Sequence, residues 1–337
     1  MEPGKDKLLT QYNESARICG LVFNDILHEI KNGNTNVKDL CSFGNRRITQ
    51  ECDLVYKKEK CKGIAFPVSI SLNNCVGNYI YEESKMDKSY EKYNNIQATD
   101  VIKIELGVNI GGCIAVLGET VTSQDNQEYS KYINLLGDLQ KCVVGLIKAG
   151  ETNDEVRLHV ESICTENDCF PVENSVGYQQ LEGQLQTPDS KYIVLNHQKY
   201  YDDEDNLAVE ENLCFEFEEG EVYTVNLTII PNGKDGIETH YKELHDPHIC
   251  RFNLYRYSLK LKSSREFYSK VKNEHGNNAF SVVEYKQDVK NRMGIKECTE
   301  NGLLEEYPVL YSKGQLPVFH KKFTLIVMKE KCLMLKY

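Results

Sequence analysis

Apolar residues at Leu8, Leu9, Ala16, Ile18, Leu21, Val22, Ile26, Leu27 and Ile30 recur at the spacing of one helical face, which predicts a long helix over 7–30. A break at Gly33-Asn34 precedes a second helical pattern over 36–52, and a run of lysines follows it. Near-continuous apolar stretches at 66–72 and 101–108 read as buried strands, and 111–123 reads as the return strand of a hairpin turning at Gly111-Gly112. Helices are predicted over 129–148 and 153–166. The second opens with Thr152 three residues before Glu155, the spacing at which each side chain satisfies the other residue's backbone donor. Residues 222–231 alternate β-branched, aromatic and aliphatic residues as a strand does. Helical patterns return at 263–275 and 285–301, and strands are predicted near 308–312, 317–328 and 332–336. This order predicts a single α+β domain over 1–337, built from two related halves with a helical insertion at 258–305.

The formal charge of −11 is unevenly spread. Residues 1–150 are nearly balanced, 151–250 carry 23 acidic against 5 basic side chains, and 251–337 carry 17 basic against 9 acidic. Phosphate attraction depends on charge within roughly 10 Å, so a locally basic face on an acidic protein still suits nucleic acid. No apolar run reaches the ~18 residues of a membrane helix, and the first residues lack a signal-peptide pattern, so neither membrane insertion nor secretion is expected. The thirteen cysteines are scattered without a CxxC pair, which reads as reduced thiols in the cytosol or nucleus. The sequence contains no GxxxxGK[ST] or GxGxxG phosphate loop and no GxSxG nucleophile elbow.

Several distant segments carry a common resemblance: KKEKCKGIAFPVSISLNNC (57–75), VIKIELGVNIGGCIA (101–115), EEGEVYTVN (218–226), and LKLKSSREFYSKV, NRMGIKEC and KKFTLIVM within 259–328. Together they resemble the proliferation-associated, ErbB receptor-binding protein family, a non-peptidase branch of the type 2 methionine aminopeptidase fold. The resemblance implies the pita-bread fold, two pseudo-symmetric halves of antiparallel strands backed by helices. Active enzymes of that fold hold two divalent metals on two Asp, one His and two Glu. Carried over position by position, those ligands fall on Glu105, Val116, Ser175, Asn226 and Lys322, and a substrate-contacting His falls on Asn78. One carboxylate thus survives, and an ammonium at the last position repels a metal. The resemblance therefore implies no catalysis, no metal and no cofactor, and a Glu105–Lys322 ion pair is expected to fill the emptied cleft.

The basic residues Lys57, Lys58, Lys60 and Lys62 stand before the first strand, and Lys260, Lys262, Arg265, Lys290 and Arg292 mark the insertion. Tyr255, Tyr257, Phe267 and Tyr268 are interleaved with the second set and offer stacking faces for unpaired bases. With the family's association with large ribosomal subunits, these residues imply binding to ribosomes or structured RNA, in ribosome biogenesis, translation or growth regulation. Protein partners in growth signalling are a further implication. Two alternatives stay open: a metal-dependent methionine aminopeptidase with unusual ligands, and a module that holds peptides without cutting them. The cluster His240, His245 and His248, with Glu238, Glu243 and Asp246, reads as a solvated loop rather than a zinc site.

Overall fold

The computed structural model describes residues 3–81, 88–122, 127–172, 175–181, 183–187, 189–196, 214–232, 241–243, 247–253, 255–312 and 316–337. Helix α1 (Pro3–Lys31) buries Gln11, Ser15, Ile18, Val22 and Ile26, one stripe at helical spacing, while Leu8 of the expected face is exposed. Helix α2 (Val37–Leu54) starts at Asn36, whose side chain accepts from the Asp39 N–H. Both lie on strands β1 (Lys62–Leu72), β2 (Val101–Ile110) and β3 (Cys113–Thr122), around the first apolar core.

Helices α3 (Gln127–Leu146) and α4 (Asn153–Glu166) back the second half of the sheet, and Thr152 caps α4 by accepting from Glu155 N–H. Its strands are β4 (Cys169–Pro171), β5 (Val176–Gln180), β6 (Tyr192–Val194), β7 (Val222–Pro231), β13 (Phe319–Val327) and β14 (Cys332–Met334). Among the described residues the sheet runs β1-β2-β3-β13-β7-β5-β6, with β14 on β13 and β4 on β7, so a strand from the end of the chain sits at its centre. A second apolar core lies under α3 and α4. Strands β8 (Tyr241–Glu243) and β12 (Leu310–Ser312) form a separate pair.

A third core gathers α5 (Lys262–His275), α6 (Val289–Glu300) and the strands β9 (Ile249–Phe252), β10 (Phe280–Ser281) and β11 (Leu304–Tyr307). The helix expected over 285–301 is divided: Tyr285–Gln287 form a 3₁₀ turn, and Asp288 then caps α6 by accepting from Lys290 N–H. The strand expected near 308–312 forms as β12, which starts two residues after Pro308; that proline, with no N–H to offer a ladder, separates it from β11. No helix among the described residues is long and apolar enough to cross a membrane.

The two halves meet where β3 crosses β13, and side-chain hydroxyls stitch that seam. Thr120 Oγ1 donates to the His320 carbonyl and accepts from its N–H, both at 2.7 Å. Val116 N–H donates to Thr324 Oγ1. Tyr337 Oη donates to Val116 O at 2.6 Å and accepts from Thr324 N–H at 2.7 Å. Tyr337→Phe leaves both backbone groups buried and unpaired. At about 1–3 kcal/mol for each unsatisfied group, a loss of about 2–6 kcal/mol is expected, read as a lower urea midpoint at unchanged slope.

Candidate functional site

The strand register aligns three of the expected cleft residues, Glu105, Lys322 and Asn226, into one row across the sheet. Ser69 of β1 faces Glu105 of β2, Glu105 faces Gly118 of β3, Gly118 faces Lys322 of β13, and Lys322 faces Asn226 of β7. Gly118 is the gap that makes the row chemically coherent: a Cβ there would stand 2.8 Å from Lys322 Cβ. Over this gap the Lys322 ammonium reaches Glu105 Oε2 at 2.6 Å. The Glu105 side chain is 2 % exposed and that of Lys322 14 %, so the expected ion pair is present and nearly dry.

The row floors a cavity of ≈ 590 Å³ lined by Glu105, Lys322, Asn226, Ser175, Asn78 and, from the β11 side, Tyr307. Ser175 Oγ donates to the Asn226 carbonyl over a long 3.5 Å, and Asn78 holds a left-handed backbone (φ 63°) while its amide donates to Pro308 O at 2.9 Å. Val116 is absent from the lining; it is fully buried in the first core, opposite Gly107. Among the described residues no three His, Cys, Asp or Glu side chains converge as a metal site, and the row's one carboxylate is occupied by an ammonium. The two divalent metals of the active enzymes do not fit this donor set.

His320, which the sequence reading passed over, also lines the cavity. Two residues before Lys322 on the same strand, it shares that residue's face of the sheet, and this alternation is the signal that marks it. Burial, together with the positive charges of Lys322 and Lys103, holds its imidazole well below the usual histidine range, so it is neutral. His320 Nε2 and Tyr307 Oη are buried and have no hydrogen-bond partner among the described residues.

Residues 10–242, more than half of the chain, match metallopeptidase family M24. The chain belongs to that family. Similarity within M24 runs to the proliferation-associated, ErbB-binding branch. The chain is 27 % identical to ErbB-3 binding protein 1 of Arabidopsis thaliana over 96 % of its own length and 78 % of the relative's. It is 26 % identical to proliferation-associated protein A of Dictyostelium discoideum over 95 % and 80 %. The solved structure of a thermophilic Arx1 superposes with a TM-score of 0.79 at 19 % identity, covering 97 % of this chain and 90 % of that one. The fold of this M24 chain is the pita-bread α+β arrangement, with its two halves meeting at the β3–β13 seam.

The basic residues singled out in the sequence divide into two groups. Lys57, Lys58 and Lys60 are exposed in the turn before β1. That turn lies beside the C-terminal end of α5, where the Asn109 amide reaches both Cys61 Sγ and Asn278 Oδ1. Lys290 and Arg292, exposed at the start of α6, lie toward the same end, because Glu297 near the other end of α6 accepts from the N–H groups of Lys260 and Leu261 at the head of α5. Lys260, Lys262 and Arg265 therefore sit about 20 Å away, the length of a 14-residue helix. Three of the nine cations have structural work, one of them Arg292, whose Nη1 donates to Lys286 O at 2.9 Å. Lys62 Nζ donates to Cys52 O and Val55 O at 2.8 Å each and so closes the C-terminal end of α2. Arg265 Nη1 donates to Leu259 O and Lys260 O.

Two expectations are corrected. Phe267 is 1 % exposed inside the third core and offers no stacking face, because the helical period turns it inward between the exposed Arg265 and Glu266 and the exposed Ser269. His248 is not in a solvated loop: it is buried where the chain enters β9, its Nδ1 accepts from Ile80 N–H at 3.2 Å, and its ring lies 5.1 Å from that of Tyr79. His240 and His245 fall outside the described residues.

Proposed function

We propose that this M24 chain is a catalytically inactive member of its family that docks on large ribosomal subunits or structured RNA. The role that follows is in ribosome biogenesis, translation or growth regulation, in the cytosol or nucleus, alongside protein partners in growth signalling. The observation that carries the non-catalytic half is the Lys322 ammonium on Glu105, which puts fixed positive charge where two divalent ions would need four more anionic or imidazole ligands. The degenerate positions Val116, Ser175, Asn226 and Asn78 fit the same reading. Support for the RNA half comes from the basic final quarter of the chain and the exposed lysines at both ends of α5. Residues 258–305, as an insertion carrying one of these patches, would present it away from the acidic middle of the sequence.

Sedimentation with purified large ribosomal subunits over a salt series tests this. Salt-sensitive binding is expected, and Lys260→Glu with Lys262→Glu is expected to weaken it at least tenfold and to flatten the salt slope by about one per lost phosphate contact. Arg265 stays unchanged in that variant because it anchors two carbonyls. Binding that ignores salt and both substitutions would remove the RNA reading, and stoichiometric metal eluting from the dialysed protein would remove the non-catalytic one.

A second reading has its own observation. His320 Nε2 and Tyr307 Oη, both buried and unpartnered beside a ≈ 590 Å³ cavity, are groups a bound peptide backbone could satisfy without being cut. Peptide binding that survives a chelator would favour that role for the cavity.

A further inference from the structure

At the head of α5, away from the central cavity, lies a groove of ≈ 450 Å³ whose walls include Tyr255, Arg256, Tyr257, Arg265, Tyr268 and Leu303. Its size falls within the roughly 300–1,000 Å³ of small-molecule sites, and none of its lining residues is acidic. The walls are set before any ligand arrives. Arg265 Nη1 is tied to Leu259 O at 2.8 Å and Lys260 O at 2.9 Å, and Glu297 holds the N–H groups of Lys260 and Leu261 from the opposite side. Tyr268 is fixed edge-on against Phe252, their centroids 4.8 Å apart. Tyr255, by contrast, is 63 % exposed, a large aromatic surface left in water on a groove that Arg256 and Arg265 also line.

We propose that this groove holds one unpaired nucleotide, its base stacked on the face of Tyr255 and its phosphates on Arg256 and Arg265; this rests on the RNA-docking reading above. Aromatic faces accept any base, and guanidinium forks match phosphate oxygens. A base inside an A-form duplex is stacked on its neighbours and presents no free face, whereas a base in a loop, bulge or single strand does. The groove thus selects unpaired RNA, while the lysines Lys260 and Lys262 beside it add charge without selection. An acidic peptide would satisfy the arginines and leave the tyrosine face unused.

Fluorescence anisotropy of the full chain with a labelled single-stranded RNA and with the same strand annealed to its complement separates these terms. Tyr255→Ala is expected to weaken single-strand binding roughly 5- to 100-fold, with little change for the duplex, and Tyr255→Phe to restore it. Arg256→Gln is expected to lower the salt slope by about one. A 4-thiouridine in the strand should crosslink to a peptide containing Tyr255 or Tyr257. If Tyr255→Ala binds both RNAs as the unsubstituted chain does, or a polyglutamate peptide displaces the strand in a Tyr255-dependent way, the nucleotide pocket is overturned while salt-sensitive ribosome binding still stands. If the unsubstituted chain binds neither RNA nor subunits, the RNA-docking reading fails and the pocket with it.

Discussion

Lys322→Met is expected to destabilise the protein by about 3–5 kcal/mol, the range for removing one partner of a buried ion pair. The Glu105 carboxylate left behind is 2 % exposed. Its cross-strand neighbours are Ser69 and Gly118, one small hydroxyl and one residue without a side chain, so nothing on the row can replace the ammonium. Glu105→Gln should cost less, because Lys322 at 14 % exposure keeps a path to water. The double substitution should recover much of the loss, since a paired charge exchanged for neutral groups of similar volume is often nearly neutral. Urea unfolding of the four proteins gives the coupling energy directly. A Lys322→Met protein within about 0.5 kcal/mol of the parent, the range of ordinary surface substitutions, would mean the pair is not the closure of the cleft described here.

The pair was legible in the sequence because each member sits in a segment with family character, KIELG for Glu105 and KKFT for Lys322. What no local pattern shows is the strand order that joins them. β13 enters the sheet between β3 and β7, and its register with both is set by the two cores closing beneath it. His320 went unread for the same reason: a single histidine has no period of its own, and it matters only once Lys322 fixes which face of β13 points into the cavity. The long elements declared themselves through helical stripes or continuous apolar runs. Strands β4, β5 and β6 did not, because at three to five residues they are too short for alternation to register. Charge counting also could not distinguish a free lysine from one closing a helix. Lys62 and Lys60 look alike in sequence, yet only Lys62 lies where α2 leaves carbonyls to satisfy.

Lys103→Met is expected to stabilise the protein at neutral pH, with a gain that shrinks steadily as pH rises. Lys103 is entirely buried on β2, its Nζ donating to Asn73 O at 2.8 Å. Burial pulls its pKa from 10.5 down to about 7, only partly opposed by Cys75 and Asp100, and the Asp100 carboxylate is itself engaged by the Asn73 amide and Gln97 N–H. His320 is the neighbouring titratable group on β13 and is neutral in this range. Between pH 7 and 10.5 the unfolded chain holds a proton on this lysine that the folded chain does not, so the residue's own contribution to stability rises with pH across that window. At 1.36 kcal/mol per unit the whole span is about 4–5 kcal/mol. The buried thiols pull the other way: Cys113 is pushed up to about 11, and Cys52, Cys250 and Cys298 to about 12, so above the ordinary thiol range they favour the unfolded state. The parent's curve alone mixes the two trends. The difference between Lys103→Met and the parent cancels these four thiols and leaves the lysine together with the Cys75 thiol that interacts with it. Urea unfolding at pH 7, 8 and 9 should show that difference falling by about 2–3 kcal/mol in favour of the parent. A difference flat across those pH values would mean that Lys103 keeps its proton inside the fold, held by Asp100 more strongly than burial opposes it.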